Sequence, residues 1–302
     1  MKVLYVGHAT LWVEVGGITI LTDPWLQGLA GGRYVHDPEL VTPLDDIRSP
    51  DVIVLSHAHP DHFNIPSLEL LDRGAQVIVP KHFGKTLAGP DVDGLDIGWR
   101  NPDLEHELRQ LGFTRVTPVS VGEQVQLDGG VRIVPVPSHQ HRFPEMGMVI
   151  TGPGGTLYNA VDTWPGEDAL GDVAALQPDI VFLPFRFYLP PNLWPAADLA
   201  DRPRLRTVAG LRKRFRWAGP LRAAQTVAVL RPRAVVPGAE GFRDTISSAA
   251  SQERLDGPNY HDISVGQRED FVRLVRRFWP ETAAFPMGPG HRWSGTGGFA
   301  AA

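Results

Sequence analysis

The sequence predicts an α/β protein built as a four-layer αββα sandwich. Short β-branched apolar runs alternate with helical patterns, and the order of strands followed by a helix occurs twice along the chain. A cluster of histidines follows one of these apolar runs directly. In such a sandwich the functional side chains sit on loops at one edge of the sheets, so this edge is where we expect a site.

The first half contains strand patterns separated by turn signals and two helical stretches. Gly16-Gly17 separates two alternating runs and indicates a hairpin. Asn64 is a suitable N-cap with Pro66 in the first turn, and Gly112 closes a second helix. The predicted strands are 2–6, 11–15, 18–22, 51–56, 76–80, 124–127 and 131–136, and the predicted helices are 64–72 and 102–111.

The second half repeats this order. Pro153-Gly154-Gly155 marks a turn between two strands, and Pro220 begins a helix. The last helix is amphipathic, with Phe271, Leu274 and Phe278 on its apolar face. The predicted strands are 147–151, 156–161, 180–183 and 234–236, and the predicted helices are 168–176, 221–230 and 266–278.

We predict a single domain, 1–302, with a lid-like insert at about 185–220. Connections of this length inside a compact domain are usually functional or disordered. The insert begins with a dense run of aromatic residues that we expect to fold over the site, with Arg186 and Tyr188 contacting the substrate. Its later arginines form a cationic patch for phosphate, carboxylate or an anionic membrane surface, or simply a solvated helix face.

The composition limits the function classes. A chain of 302 residues, 42% hydrophobic, can bury a substantial core. There is no cysteine, which excludes disulfides and thiolate metal sites. The net charge of −5 argues against nucleic acid as a partner. Lacking a signal-peptide pattern and any transmembrane segment, the sequence is expected to be cytoplasmic. The oligomeric state, a homo-oligomer included, and the role of 285–302 are left open.

The stretch 56–62, Ser-His-Ala-His-Pro-Asp-His, is the most informative motif. In an extended backbone His57 and His59 share a face and can bind one ion, while Asp61 and His62, past a proline, can turn toward a second. Imidazole nitrogen and carboxylate oxygen suit Zn(II), Mn(II), Fe or Ni(II). A solvated histidine-rich loop is the alternative.

This motif resembles the signature of the metallo-β-lactamase fold superfamily, whose αββα sandwich holds one or two metal ions at the sheet ends. The pairing of Gly7-His8-Ala9-Thr10 with Leu21-Thr22-Asp23-Pro24-Trp25 is similar to the L-ascorbate-6-phosphate lactonase-like branch, which includes N-acyl phosphatidylethanolamine phospholipase D. The resemblance covers about 1–245. It implies an αββα sandwich of the metallo-β-lactamase type.

The resemblance also implies a ligand set. His139 and Asp162 each follow a predicted strand and match positions that complete the family's site. The implied metal ligands are His57, His59 and His139 for one ion and Asp61 and His62 for the other, with Asp162 bridging the two. The expected cofactor is one or two divalent metal ions, with zinc first and iron or manganese as alternatives.

One position departs from the family pattern. The late Pro-x-His-x-Gly motif reads Pro-Gly-Ala-Glu-Gly here, with Ala239 where histidine is expected. Glu240 can replace the lost ligand, His261 can supply a nitrogen, or the site holds one ion. Glu240 is favoured because it lies one residue away, and a carboxylate there shifts the preference toward iron or manganese. An ordinary exposed loop glutamate is an equally good interpretation.

Three further residues are expected near the metal ions. His8 and Asp23 match family positions close to this edge and are interpreted as substrate-side or supporting groups. Asp23 can accept a hydrogen bond from a ligand imidazole, or it can serve only to form a turn. His141 lies two residues beyond His139 and can act as a general acid or bind a phosphate, with an exposed loop histidine as the alternative.

The predicted function is a metal-dependent hydrolase that uses a metal-activated water, with Asp61 or Asp162 as the proton acceptor. The expected substrate is a small anionic ester, lactone, amide or phosphodiester, a class drawn from the resemblance and the arginines. A non-haem iron or diiron oxygenase on the same fold is one alternative, motivated by the carboxylate-rich ligand set. A binding protein with a decayed metal site is another.

Overall fold

The computed structural model describes residues 1–32, 34–81, 102–138, 145–162, 167–185, 220–239, 241–244 and 268–301. The strands are β1 (Lys2–Gly7), β2 (Thr10–Val15), β3 (Ile18–Thr22), β4 (Tyr34–His36), β5 (Val52–Val54), β6 (Gln76–Pro80), β7 (Arg115–Val119), β8 (Val125–Leu127), β9 (Val131–Pro137), β10 (Met146–Gly152), β11 (Gly155–Asn159), β12 (Ile180–Pro184), β13 (Ala234–Gly238), β14 (Phe242–Asp244), β15 (Ala283–Ala284), β16 (Arg292–Ser294) and β17 (Gly298–Ala300). The helices are α1 (Ile65–Leu68), α2 (Leu104–Gln110), α3 (Glu167–Ala175), α4 (Pro220–Leu230) and α5 (Arg268–Phe278).

The strands form two large mixed sheets and one small sheet. The first sheet has the order β17-β16-β1-β2-β3-β5-β6-β7, and the second has the order β15-β13-β12-β11-β10-β9-β8. From β3 to β7 the first sheet is parallel, and from β11 to β15 so is the second. Every residue of β5 and β12 is buried, as their continuous apolar sequences predict for parallel strands covered on both faces.

The two sheets pack face to face over a shared hydrophobic core. Val3 and Ile20 of the first sheet and Ile133 and Ile150 of the second lie in this core and are fully buried. Tyr5 and Phe182 of opposite sheets stack with ring centroids 6.4 Å apart. Each buried aliphatic side chain stabilises the fold by about 1.5–3 kcal/mol relative to exposure, so this interface holds the two halves together.

Helices cover the outer faces of both sheets. Helix α2 packs Leu104 and Leu108 into a cluster on the outer face of the first sheet. Helices α4 and α5 contact each other and bury Val227 and Phe271 against the second sheet. The order helix, sheet, sheet, helix confirms the predicted αββα sandwich. None of the helices that the structure describes is long and apolar enough to cross a membrane.

The predicted strands and helices are present wherever the residues are described, but α1 is shorter than expected. Asn64 caps it as predicted, accepting a hydrogen bond from the backbone N–H of Ser67 at 3.0 Å. The helix ends after four residues instead of reaching 72, so its predicted length is wrong. The guanidinium of Arg73 donates to backbone carbonyls of this region, which satisfies the helix end without further helical turns.

Several short strands have no counterpart in the sequence-based prediction. They are β4, β7 and β14–β17. The tail, which has no readable pattern, forms β16 and β17, and β16 pairs antiparallel with β1 at the edge of the first sheet. Five of them have two or three residues, which carry too little periodicity to be recognised and depend on a partner strand. Strand β7 has five residues, but Arg115, Thr117 and Pro118 interrupt its apolar pattern. Apart from Phe185 and Pro220, the predicted insert at 185–220 lies outside the described residues.

Candidate metal centre

The loops after four strands meet at one edge of the sandwich. His8 follows β1, Asp23 follows β3, the 56–62 motif follows β5, and Asp162 follows β11. Parallel strands β3 and β5 end at the same edge of the first sheet, and β11 ends at the facing edge of the second. This topology brings side chains together that are separated by up to 154 residues in sequence, as His8 and Asp162 are.

Backbone strain is concentrated at this edge. Six non-glycine residues among those described have positive φ. Three of them directly follow a strand, His8 (φ 51°), Asp23 (φ 36°) and Ala239 (φ 54°), and Val161 (φ 56°) lies two residues after β11. Left-handed backbone costs of order 1–3 kcal/mol per residue and persists only where the surroundings enforce it. For a β-branched residue such as Val161 it is a genuine outlier, so this turn is set by tertiary structure.

One group of ligand atoms is formed by His57, His59 and Asp162. Nε2 of His57 lies 2.8 Å from Nδ1 of His59 and 3.8 Å from Oδ2 of Asp162. One ligand atom from each residue lies within 4.8 Å of the others, which is a spacing that can hold a metal ion. The first sheet supplies the two imidazoles, and the second supplies the carboxylate.

A second group surrounds His62. Its Nε2 lies 3.3 Å from Oδ2 of Asp162, 3.8 Å from Oδ2 of Asp61 and 3.4 Å from Nε2 of His8. Nε2 of His8 is also 3.3 Å from Oδ2 of Asp61. The same oxygen of Asp162 therefore faces both groups, which is the arrangement required of a bridging carboxylate.

Asp23 contacts the histidine motif through Ser56 and His62, on the side away from the ligand atoms. It is fully buried, and its Oδ1 accepts a hydrogen bond from the backbone N–H of Ser56 at 2.7 Å. Its Oδ2 accepts from the Ser56 hydroxyl at 2.7 Å and lies 3.1 Å from Nδ1 of His62. The Nδ1–H of His62 donates to this carboxylate, so Nε2 is left to face the cluster. Carboxylates in this position orient metal-ligating histidines and raise their basicity.

The electrostatics of His57 and His59 suit neutral metal ligands. Burial lowers the pKa of His57 well below its usual value, and the neighbouring imidazoles of His62 and His59 lower it further. Burial also lowers the pKa of His59. Metal ions bind the neutral imidazole, so neither side chain has to lose a proton before it coordinates at neutral pH.

The carboxylates give the other end of the cluster negative charge. Burial opposes ionisation, but His62 and His8 hold the pKa of Asp61 well below its usual value, and His62 lowers that of Asp162. Burial lowers the pKa of His62, yet Asp162 and Asp61 outweigh it and raise the pKa well above its usual value. Without an ion the cluster therefore retains a positive charge as a proton on His62. Nitrogen and oxygen donors around such a cation-binding centre fit a divalent metal ion.

Sequence reasoning missed Glu145, a buried carboxyl at the start of β10. Its Oε2 accepts a hydrogen bond from the Ser138 hydroxyl at 3.0 Å. Burial, and next the negative charge of Asp162, raise its pKa to about 8, so it is protonated at neutral pH. Backbone N–H of Met146 donates to the carbonyl of Ser56, which ties this strand to the histidine motif. A single glutamate before an apolar strand does not indicate from sequence that its carboxyl is buried and protonated.

The structure brings together a defined subset of the predicted site residues. Those that converge are His8, His57, His59, Asp61, His62 and Asp162. Those that lie outside the described residues are His139, His141, Arg186, Tyr188, Glu240 and His261. The predicted roles of this second set remain predictions.

Comparison with known proteins gives relatives with metal-dependent chemistry in their names. A protein from Methanopyrus kandleri, named as a metal-dependent hydrolase, is 25% identical over 205 residues, which cover 64% of this chain and 76% of that protein. A metallo hydrolase from Ignicoccus hospitalis has 21% identity and a TM-score of 0.60, with 96% of both chains covered. A diiron β-hydroxylase from Streptomyces venezuelae has 24% identity and a TM-score of 0.64, covering 96% of this chain and 53% of that one.

At these identities the two solved structures establish a shared fold. The family model described as the beta-lactamase superfamily domain matches residues 19–237, which is well over half of the chain and includes the 56–62 motif and Asp162. The match, the two-sheet sandwich and the histidine–aspartate cluster at its edge agree with one another. This chain therefore belongs to the beta-lactamase superfamily and has the metallo-β-lactamase fold.

Proposed function

We propose that this chain is a metal-dependent hydrolase acting on a small anionic ester, lactone, amide or phosphodiester. The observation that carries the proposal is the convergence of His57, His59, Asp61, His62 and Asp162 at one sheet edge. The names of relatives such as the Methanopyrus kandleri protein support it. The narrower lactonase-like branch is retained as a prediction from sequence.

The side chains divide between two metal ions in this proposal. His57, His59 and the predicted ligand His139 hold the first, and Asp61 and His62 hold the second. Asp162 contributes to both, since its Oδ2 faces each group. A divalent ion held by these residues would supply an activated water and would polarise the oxygen of the bond to be cleaved.

The carboxylates are the groups suited to accept the proton of the attacking water. Their low pKa values keep Asp61 and Asp162 ionised at neutral pH, so both can accept a proton. Their side chains are 22% and 33% exposed, whereas those of His57 and His62 are fully buried. Solvent and substrate therefore reach the cluster from the carboxylate side, where proton transfer is required.

The anionic character of the proposed substrate is compatible with the charge of a metal-loaded centre. Cations at the sheet edge attract an anionic group or a polarised carbonyl or phosphoryl oxygen. Arg186, Tyr188 and the later arginines of the insert are kept as predicted substrate contacts, and His141 is kept as a predicted general acid or phosphate-binding residue. A panel of model compounds from the four classes, each with a neutral analogue, tests the preference for anions.

Replacing His59 with alanine tests the proposal. We expect H59A to lose the first ion. Its rate of hydrolysis should fall by roughly 10³-fold or more, because the attacking water would no longer be activated by that ion. The exposed His106 of α2 provides the matched control, and H106A should keep the metal content and activity of the wild type. Full hydrolysis by H59A protein without metal would contradict the proposed function.

A non-haem diiron oxygenase is the second candidate. The fold shared with the Streptomyces venezuelae diiron β-hydroxylase favours it, as does a donor set of imidazole and carboxylate alone. Metal analysis of protein produced without added metal separates the candidates. Iron with oxygen consumption would favour the oxygenase, whereas zinc without iron would argue strongly against it.

A further inference from the structure

We propose that His8 is a direct ligand of the second metal ion, together with Asp61, His62 and Asp162. The inference rests on the proposed metal-dependent function and deepens it. Ala239 offers no donor atom, and the sequence leaves open which side chain completes the second set. His8, 231 residues earlier in the chain, was expected only as a substrate-side or supporting group.

The distances match a coordination shell. Nε2 of His8 lies 3.4 Å from Nε2 of His62 and 3.3 Å from Oδ2 of Asp61, and His62 is 3.3 Å from Oδ2 of Asp162. Ligand atoms at about 2.1 Å from a tetrahedral ion are separated by about 3.4 Å. Nε2 of His8 therefore occupies the place that a fourth ligand of this ion requires.

A hydrogen bond alone explains this geometry less well. The distance from Nε2 of His8 to Asp61 exceeds the usual N–H···O distance of about 2.9–3.0 Å. The nitrogen is almost equally far from Nε2 of His62, so it lies between the two neighbours and not in a short hydrogen bond to either. A metal ion among the three would replace the proton on His62 and accept a lone pair from each of them at once.

The backbone before His8 is shaped to aim this ring inward. The pairing of β1 with β2 shifts register between Tyr5 and Gly7, and such bulges re-aim the side chains that follow. Gly7 has φ 159°, and a Cβ at this position would collide with Leu40. His8 itself adopts φ 51°. The strand end is therefore held in an unfavourable conformation whose result is the inward direction of His8.

Among the described residues, the polar neighbours of the His8 ring lie on one side of it. His8 is 2% exposed, and its ring meets Trp25 and Phe242 in edge-on contacts with centroids 5.6 and 5.3 Å away. Within the described chain Nδ1 has no hydrogen-bond partner. In the part of the chain that the structure describes, the polar contacts of the ring thus lie on the Nε2 side, toward Asp61 and His62, and Trp25 and Phe242 form an apolar wall beside it.

Two variants at position 8 separate coordination from a positioning role. H8F keeps an aromatic ring against the apolar wall and removes both nitrogens. H8Q keeps an N–H donor that can bond to Asp61 but replaces the imidazole ligand. Metal-free protein is titrated with Co(II), with visible absorption and metal content as readouts. H36F is the matched control, since His36 is a neighbouring imidazole bonded to the carbonyl of Trp25.

We expect wild type and H36F to bind two ions. H8F should bind the first ion normally and the second roughly 100-fold or more weakly, and H8Q should remain well below wild type. Normal binding of the first ion shows that the variant is folded. The role of His8 would be overturned if H8F bound two ions tightly or if H8Q bound the second ion as tightly as wild type. It would also be overturned if H36F lost the second ion to the same extent as H8F, or if wild type bound a single ion. Absence of any ion from wild type would instead overturn the proposed function.

Discussion

The two sheets contribute to the metal centre in different ways. The edge of the first sheet presents four imidazoles and Asp61, and its 56–62 motif is tied through Ser56 to the buried Asp23. The edge of the second sheet presents Asp162 on a strained turn, where the backbone N–H of Val161 donates to the side chain of Asn159 at 3.0 Å. The described part of the second sheet adds Glu145 nearby, as a protonated carboxyl.

The two sheets therefore have different roles: one orients imidazole side chains, and the other supplies a negatively charged carboxylate. The first sheet orients its imidazoles through a buried hydrogen-bond network that belongs to one half of the molecule. The second sheet supplies a carboxylate that faces both ligand groups across the interface. Loss of the Asp162 carboxylate should therefore affect both ions. Loss of the Asp23 carboxylate should mainly affect His62, which it contacts directly, and to a smaller extent His57, which it reaches through the Ser56 hydroxyl.

The largest effect is expected from D162N. The substitution preserves shape but removes the negative charge that faces both groups, so we expect the affinity for both ions to fall by about 10³-fold. Isothermal titration of metal-free protein measures it. D172N, on the exposed face of α3, is the control and should match wild type. Weakening of only one ion would show that Asp162 does not bridge.

A smaller and unequal effect is expected from D23N. The amide cannot accept from Ser56 and His62 as the carboxylate does, so the second ion should bind about 10–100-fold more weakly, with less change at the first. The same titration gives both affinities, and D46N at an exposed position is the control. Equal weakening of both ions would contradict the view that Asp23 acts mainly through His62.

The third effect concerns Glu145 and the pH dependence of stability, and it does not involve metal affinity. Its pKa is raised from 4.5 to about 8, so between these values the unfolded chain releases a proton that the native protein keeps. The contribution of Glu145 to the free energy of unfolding of metal-free wild type should therefore fall by about 1.4 kcal/mol per pH unit in this window, with no loss below it. E145Q cannot titrate and should lack this contribution.

Urea denaturation of metal-free wild type and E145Q at several pH values across this window measures the difference. The other titrating groups are shared, so the difference between the two proteins isolates residue 145. The advantage of E145Q should grow as pH rises toward 8. Parallel pH profiles would show that Glu145 is already ionised in the native protein and would remove the contrast between the two sheet edges.

Local sequence patterns were sufficient for the main elements. The apolar run before Ser56 predicted β5, and the Asn64 cap predicted the start of α1. The spacing of His57, His59, Asp61 and His62 pointed to metal because these residues are close in sequence and share a strand end. Elements that are stabilised by local interactions can be predicted in this way. So can buried elements that consist of continuous apolar residues.

Other features were not predictable because they depend on distant partners. Arg73 donates to a carbonyl at the end of α1, and β16 forms between β1 and β17. The role of Asp162 was inferred from family resemblance and not from its own local sequence. Asp23 had two equally good interpretations until its carboxylate was found between Ser56 and His62.

The sequence by itself determined the fold class, the metal-binding motif and the absence of thiolate ligands. Only the tertiary structure decided that His8 reaches Asp61 and His62, that Asp162 faces both groups, and that a protonated Glu145 lies buried near them. The physical reason is that strand patterns and ligand chemistry are local properties of the chain. Distances between loops of two packed sheets and the electrostatic field at their shared edge arise only when those sheets meet.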